Sequence, residues 1–363
     1  MTVVLLAFAI YCLVTASYKP PFRHEFHEDN FSKDSTDCVN GIFVVLVFLS
    51  HFFGYVAHPH PVDKLYRIFQ GVFGQGIVCS FLFYSGYGTY ESLRRDRAGY
   101  THKLLRVKFP KLLVRFDICV MLFAVTQLAI GNPISARDIL FALSTLGGFG
   151  NSNWYVTYML IAYVITWGAF SVLKNDEKAL LVITVGMTVY AAAAFVILRG
   201  DRGQYYATSL VFPMGMGWSM FREKIEPAVK KHWFALIVLA SVLYAAARCM
   251  KMLPLVPDVI CYNIAFMLFA AMIILLTFKV SFKNRIIAYL GKNVFLFYIL
   301  QRLPMIWFAE VQNNETLNKM MGGVRMYTCF SAHLQRYCLW KRSAGCLHYL
   351  DCEHGSISVE AKK

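Results

Sequence analysis

Long apolar runs dominate this chain. Ten stretches of about 16 to 23 apolar residues, each long enough to cross a bilayer as a helix, lie near residues 2–17, 39–57, 70–90, 112–131, 153–173, 179–198, 205–221, 233–250, 257–279 and 286–308. A water-soluble protein is excluded, because 58% of the residues are hydrophobic and only 16% are charged. Unbroken runs also exclude a β-barrel, whose strands alternate apolar and polar residues. The sequence therefore predicts an all-α, polytopic integral membrane bundle of about ten transmembrane helices.

Three parts of the chain differ in character. Residues 1–37 are predicted to form an anchor helix and a cytoplasmic loop, and residues 38–309 form the membrane domain. The first run lacks the Lys or Arg that normally precedes a signal-peptide core, which favours a retained helix over a cleaved signal. Residues 310–363 are polar and contain four cysteines. They are either a soluble tail or the altered end of a chain that lost its final helix.

The basic residues are distributed unevenly between alternate loops. Five loops, including the segment 94–115, contain 20 Lys and Arg, whereas the loops between them contain 7. Because cytoplasmic loops are enriched in Lys and Arg, the richer set is predicted to be cytoplasmic in a multi-pass inner (plasma) membrane protein. Most of the formal net charge of +15 is thereby explained without a nucleic-acid partner. The cysteines lack zinc-ligand spacing, so no metal site is predicted.

One histidine interrupts the apolar run that follows Asp37. His51 lies fourteen residues after Asp37, which places it about 20 Å along a helix and toward the outer half of the hydrocarbon core. Ionisable groups at that depth usually face a cavity or a partner and often mark function. Imidazole is the side chain best matched to proton transfer near neutral pH. The alternative is a histidine that only hydrogen-bonds a neighbouring helix.

Four ordered segments carry a resemblance to a known family. They are Asp-Cys-Val-Asn-Gly at 37–41 followed by the run to His51, GQGIVCSFLFYSGYG at 74–88, NSNWYVTYMLIAYV at 151–164 and NVFLFYILQRLP at 293–304. In order and spacing they resemble the acyltransferase 3 family, the polytopic O-acyltransferases of bacterial cell envelopes. The resemblance extends from residue 37 to about residue 308.

The resemblance implies transfer of an acyl group, often acetyl, from acyl-CoA to a hydroxyl of a sugar in an envelope glycan or lipid-linked precursor. His51 would be the catalytic base, and acyl-CoA would be a co-substrate without any permanently bound cofactor. The CoA phosphates suit the cations of the 94–115 segment, namely Arg94, Arg95, Arg97, Lys103, Arg106 and Lys108. These cations could equally serve only to fix orientation. The substrate pocket is assigned to Asn40, Ser85, Asn153, Trp154, Gln301 and Arg302.

The chain departs from the family pattern at two of these positions. Most members have an arginine eleven residues before the histidine, where this chain has Asn40, and Gln301 occupies a position often filled by histidine. An amide cannot pair with a phosphate as guanidinium does, so either another cation substitutes or the activity is altered or absent. An inactive relative and a transporter or flippase of a lipid-linked glycan therefore remain alternatives.

Overall fold

The computed structural model describes residues 1–55, 60–198, 200, 202–250 and 257–313. Over these residues the chain is almost entirely helical, with one two-stranded antiparallel sheet. The predicted all-α class is confirmed. The expected tail over 310–363 and its four cysteines lie outside the described residues, except for the helix backbone that reaches Asn313.

The described elements follow one another along the whole chain. They are α1 (Thr2–Thr15), β1 (Ala16–Tyr18), α2 (Lys33–Phe53), α3 (Lys64–Phe73), α4 (Cys79–Arg95), α5 (Arg97–Lys103), α6 (Phe109–Ala129), α7 (Ala136–Leu143), α8 (Trp154–Val172), α9 (Asp176–Ile197), α10 (Val211–Met220), α11 (Arg222–Met250), α12 (Asp258–Thr277), β2 (Val280–Phe282), α13 (Arg285–Lys292), α14 (Val294–Leu300) and α15 (Arg302–Asn313).

Seven helical segments are long and apolar enough to cross a membrane, and a bent pair near the end of the described chain makes up to eight. The predicted count of ten is not confirmed. Helix α1 has 14 residues and α10 has 10, so they extend only about 21 and 15 Å against a hydrocarbon core of about 30 Å. In the bent pair, α13 and the helix from Val294 to Ala309 meet at an angle of 72°.

The basic segment after α4 is helical, whereas the sequence analysis treated it as a loop. Helix α5, a π-helical turn at Leu104–Lys108 and α6 form one continuous helical stretch from Arg97 to Ala129. Asp96 caps its start, since its carboxylate accepts a hydrogen bond from the Gly99 amide at 2.9 Å. Four of the six predicted cations, Arg97, Lys103, Arg106 and Lys108, therefore lie on a helical stretch that continues into an apolar span, whereas Arg94 and Arg95 end α4.

Glycines bring two pairs of helices into close contact. A Cβ atom added to Gly86 on α4 would collide with the carbonyl oxygen of Phe212 on α10, and one added to Gly215 would collide with the carbonyl of Phe83. Small residues permit this backbone approach, which supplies the van der Waals contacts that hold membrane helices together. Close backbone contact at glycine residues also joins α2 and α13.

Helix α2 is held against α13 through Gly41 and Gly291. A Cβ atom at Gly41 would strike the Ile287 carbonyl, and one at Gly291 would strike the Asp37 carbonyl. This contact fixes the first third of α2 against the end of the described chain. It thereby determines where α14 and α15 run relative to the rest of α2.

Alternate loops gather at opposite ends of the bundle. At the basic end, Lys230 pairs with Glu28 at 2.6 Å and Lys283 pairs with Asp29 at 3.4 Å. Strands β1 and β2 pair at this same end, with Ala16 opposite Phe282. Arg97 pairs with Asp176, and the Arg222 guanidinium donates to the Tyr87 hydroxyl of α4 at 3.2 Å. The five Lys- and Arg-rich loops therefore share one end, as alternating spans require. Which end faces the cytoplasm stays a prediction.

The other end is joined by bonds between the remaining loops. The Gln70 amide donates to the Ser50 hydroxyl at 3.1 Å, and the Tyr205 hydroxyl donates to the Asn153 side-chain oxygen at 3.1 Å. The Arg248 guanidinium donates to the Gly71 carbonyl at 2.5 Å. His51, one residue after Ser50, belongs to this basic-poor end.

Lys279 is a structural residue as well as a topogenic charge. Its side chain is buried, and its ammonium donates to the carbonyls of Pro20, Arg23 and Glu25 at 2.9, 2.6 and 2.8 Å. Burial lowers the pKa of this lysine, and the Glu25 carboxylate opposes that shift. The connection between β1 and α2 is thereby tied to the connection after α12.

Candidate active site

Helix α2 positions His51 in its last turn. The helix begins at a cap in which the Ser32 hydroxyl accepts from the Ser35 amide at 3.3 Å, and it ends at Gly54, whose amide donates to the His51 carbonyl at 3.1 Å. The His51 side chain is half-buried, and its Nδ1 atom is buried with no hydrogen-bond partner in the described part of the chain. His51 therefore retains an uncommitted ring nitrogen inside the protein.

Arg302 provides the positive charge of this region. It is the first residue of α15, and its guanidinium acts electrostatically on His51, Tyr55 and Tyr298. Its Nε atom is buried and has no hydrogen-bond partner among the described residues. A buried donor with no partner is costly in a protein interior, and it is free to bind an acceptor that enters this region.

Aromatic side chains from three helices connect Arg302 to the middle of the bundle. The Tyr298 ring lies 5.4 Å from that of Tyr155 and 6.3 Å from that of Phe81, measured between ring centroids. The Trp154 ring lies 5.9 Å from that of Tyr155, and the Ser85 side chain lies near Tyr155. Two predicted pocket residues, Ser85 and Trp154, thus lie beside the aromatic group of Tyr155 and Tyr298, and Arg302 acts electrostatically on both Tyr298 and His51.

Gln301 lies at the turn between α14 and α15, immediately before Arg302. Its amide nitrogen donates to the Tyr298 carbonyl at 3.0 Å, and its side-chain oxygen is buried without a partner within the described ranges. Gln301 therefore has a free buried acceptor, as Arg302 has a free buried donor. The sequence assigned both residues to the pocket, and they are adjacent here.

Asn153 has a structural role that the sequence analysis did not predict. Its amide nitrogen donates to the carbonyls of Thr145 and Gly147 at 2.8 and 3.1 Å, and its oxygen accepts from Tyr205. Thr145 has a positive φ of 65°, so this turn needs such external bonds. The Asn153 amide is therefore already engaged at both atoms.

Asn40 lies on the same helix as His51 but well below it. The two residues are eleven positions apart, which corresponds to about 16 Å of rise and about 20° of rotation, so they share one face of α2. The Asn40 side-chain oxygen is buried and has no partner in the described chain. The structure does not bring Asn40 into the cluster around Arg302.

The six predicted CoA-binding cations fall into two groups. Arg94 pairs with Glu91 at 2.8 Å, Arg97 pairs with Asp176, and the Lys108 ammonium donates to the Tyr100 hydroxyl at 2.5 Å. The other three are exposed and have no hydrogen bond or ion pair among the described residues, and these are Arg95, Lys103 and Arg106. Only this second group is free to bind phosphate without breaking an existing bond.

Two cavities lie outside the His51 region. One, of about 450 Å³, lies at the basic end beside Tyr90 and Asp176. The other, of about 480 Å³, lies on the outer side of α6. His51 lines neither of them. Within the described residues, no group of three or more His, Cys, Asp and Glu side chains could hold a metal ion.

Tyr55 and Tyr298 are site residues that the sequence analysis did not assign. Both respond to the charge of Arg302. Tyr298 is buried within the apolar segment of α14, where an aromatic residue looks like ordinary packing. Only the position of Tyr55, four residues after His51 and therefore on the same side of a helix, could have signalled its involvement.

The fold and the site define a polytopic helical membrane protein. Its candidate site contains a histidine, an arginine and tyrosines near one end of the bundle. Residues 34–331 match the acyltransferase domain of the acyltransferase 3 family. The chain belongs to this family and is a membrane acyltransferase. No curated protein and no solved structure matches the chain. The match covers the segments from which the sequence analysis inferred the resemblance.

Proposed function

We propose that this membrane acyltransferase moves an acyl group from acyl-CoA to a hydroxyl of a sugar, with His51 as the general base. The main observation in support is that the Nδ1 atom of His51 is buried and has no hydrogen-bond partner among the described residues. The charge of Arg302 acts on the same imidazole. A hydroxyl attacks a thioester efficiently only if a base removes its proton as the new bond forms. Family membership supports acyl transfer, and the site supplies a candidate base.

Acyl transfer by this site makes one bond and breaks another. The His51 imidazole takes the proton of the acceptor hydroxyl, and the oxygen forms an ester bond to the acyl carbon. The thioester C–S bond breaks, and the proton returns from the imidazolium to the departing thiolate. We propose that the Arg302 guanidinium, which acts electrostatically on His51, stabilises the negative charge that develops on the acyl oxygen. Acetyl is the expected acyl group, and an envelope glycan or its lipid-linked precursor is the expected acceptor.

The donor is proposed to enter from the basic end. Arg95, Lys103 and Arg106 are exposed there without partners in the described chain, and guanidinium and ammonium groups bind phosphate through charge-assisted hydrogen bonds. The acceptor is proposed to arrive at the basic-poor end, where His51 lies. The same arrangement assigns the basic end to the cytoplasm of an inner-membrane protein, since CoA is a cytoplasmic donor.

Mass spectrometry of envelope glycans tests this function. A host lacking the gene receives the wild-type chain, His51→Ala or His24→Ala, the last being an exposed histidine at the opposite end. We expect one acyl mass step on a glycan with the wild type and with His24→Ala, and none with His51→Ala at equal membrane abundance. A full mass step in His51→Ala would contradict the catalytic role. If the host lacking the gene fails to export the glycan, and the wild-type chain restores export without adding an acyl mass step, a flippase would be favoured.

A further inference from the structure

The outer side of α6 carries a groove that the proposed reaction does not use. It has a volume of about 480 Å³, and its lining residues are Val114, Asp117, Ile118, Met121, Leu122 and Val125 of α6 with Leu143 of α7. The five apolar α6 residues are 44 to 60% exposed. Because α6 belongs to a stretch long and apolar enough to cross a membrane, this groove opens onto lipid.

Asp117 is the one ionisable residue among those that line the groove. Its Oδ1 atom is buried, and its carboxyl group has no hydrogen bond or ion pair in the part of the chain that the structure describes. An acidic side chain in a membrane-spanning helix is expensive unless a partner compensates it. The groove therefore contains a carboxyl acceptor that has no partner among the described residues.

Asp117 lies near the level where the basic end meets the hydrocarbon. It follows the exposed Arg115 by two residues, which is about 3 Å of rise, and residues two apart do not face each other on a helix. From Asp117 the groove continues to Val125, about 12 Å deeper along the helix. The groove thus has a polar end at headgroup depth and an apolar remainder at acyl-chain depth.

We propose that this groove binds a phospholipid whose headgroup carries a primary ammonium. The carboxyl group of Asp117 accepts an N–H hydrogen bond from the ammonium. One acyl chain lies along the apolar α6 residues toward Leu143. A primary ammonium offers N–H donors, whereas the quaternary ammonium of a choline headgroup offers none, so the site distinguishes two lipids of equal charge. The lipid bilayer supplies this occupant at the correct depth.

Native mass spectrometry of the detergent-purified full chain tests the site. The protein is titrated with phosphatidylethanolamine and, separately, with phosphatidylcholine of identical acyl chains. We expect the wild type to bind the ethanolamine lipid about tenfold more tightly, the effect of one charge-assisted hydrogen bond. Asp117→Asn should remove most of this preference. Glu177→Gln, which removes an exposed carboxylate at the same end of the bundle, should preserve it.

A second variant tests the apolar part of the groove. Leu122→Trp should fill the space and weaken both lipids equally, because it leaves the carboxyl group unchanged. Equal affinity of the wild type for the two lipids, or an unchanged preference in Asp117→Asn, would overturn the proposal. The proposal would also be overturned if the wild type is a dimer and Asp117→Asn is a monomer, because a second copy of the chain would then occupy the groove. Lipid binding is measured without acyl transfer, so the result is independent of the proposed function.

Discussion

Among individual residues, Arg302 is the cation that acts electrostatically on His51. Its guanidinium acts on the histidine and on two tyrosines, and its Nε atom has no partner in the described chain. Asn40, where the family resemblance leads us to expect an arginine, lies about three helical turns from His51 on the same face of α2. We therefore expect the charge of Arg302 to contribute to the reaction at His51.

Arg302→Met should lower kcat on the order of a hundredfold, the usual effect of removing one preorganised donor from a developing oxyanion. Arg302→Lys should recover part of that loss, because it restores the charge without the planar fork. Steady-state kinetics on purified, reconstituted protein measure both. Arg285→Met is the matched control, since Arg285 is exposed on α13. An unchanged kcat in Arg302→Met would remove Arg302 from the reaction.

The three unpaired cations of the basic segment make a separate prediction. Replacing Arg95, Lys103 and Arg106 together with Gln should raise the KM for acyl-CoA about tenfold or more and change kcat little, because only phosphate contacts are lost. Replacing Lys174, Lys178 and Lys224 removes the same charge from the same end of the bundle. If both triple variants raise KM equally, the effect is one of general charge and the assigned CoA site is wrong.

At the element scale, close helix contacts through glycine fix the bundle. Helix α4 meets α10 at Gly86 and Gly215, and α2 meets α13 at Gly41 and Gly291. Each contact is made by backbone atoms, so a larger residue cannot be accommodated by a change of rotamer.

Gly86→Ala should destabilise the protein by about 2 kcal/mol, as overpacking does. Gly88→Ala, two residues further along α4, is the control, since a Cβ atom there has no neighbour within 4 Å. It should be neutral or stabilising by up to about 1 kcal/mol, because alanine favours the helix. Thermal unfolding in detergent compares the two variants. Equal melting temperatures would contradict the close α4–α10 contact.

At the scale of the whole molecule, the apolar runs predicted most of the spans closely. The runs at 153–173 and 179–198 correspond to α8 (Trp154–Val172) and α9 (Asp176–Ile197). The run at 205–221 gave only the ten-residue α10, because turns occupy residues 206–210 before Val211. The run at 286–308 is bent after Lys292, where Gly291 lies against the Asp37 carbonyl. The apolar composition of a segment predicts that it lies in lipid, but it does not predict where turns or bends interrupt the helix.

The site was predictable only in part for a related reason. His51 stands out because it is an ionisable residue within an apolar run. Tyr155 and Tyr298 come from α8 and α14, far apart in the chain, and resemble ordinary aromatic packing residues until the helices are assembled. The structural role of Lys279 could not be predicted from the sequence either. A buried lysine and an exposed lysine contribute equally to the number of Lys and Arg residues counted in a loop.

The charge bias also predicts how the bundle lies in the membrane. An epitope inserted after Lys174 should be accessible only in permeabilised cells, and one inserted after Asn132, between α6 and α7, should be accessible in intact spheroplasts. Both should be detected after permeabilisation, which controls for folding of the tagged chains. Accessibility of the two epitopes from the same side would contradict the alternation of loops. A reversed result would place the basic end outside and exclude CoA entry there.

The most direct test of the central claim follows a labelled acyl group in purified components. The protein in lipid nanodiscs is supplied with acetyl-CoA labelled in the acetyl carbonyl and with glycans isolated from the envelope. We expect label in an ester on the glycan, one free CoA thiol released per ester formed, and neither product with His51→Ala. Ester formation by His51→Ala at the wild-type rate, or thiol release without glycan labelling, would contradict it.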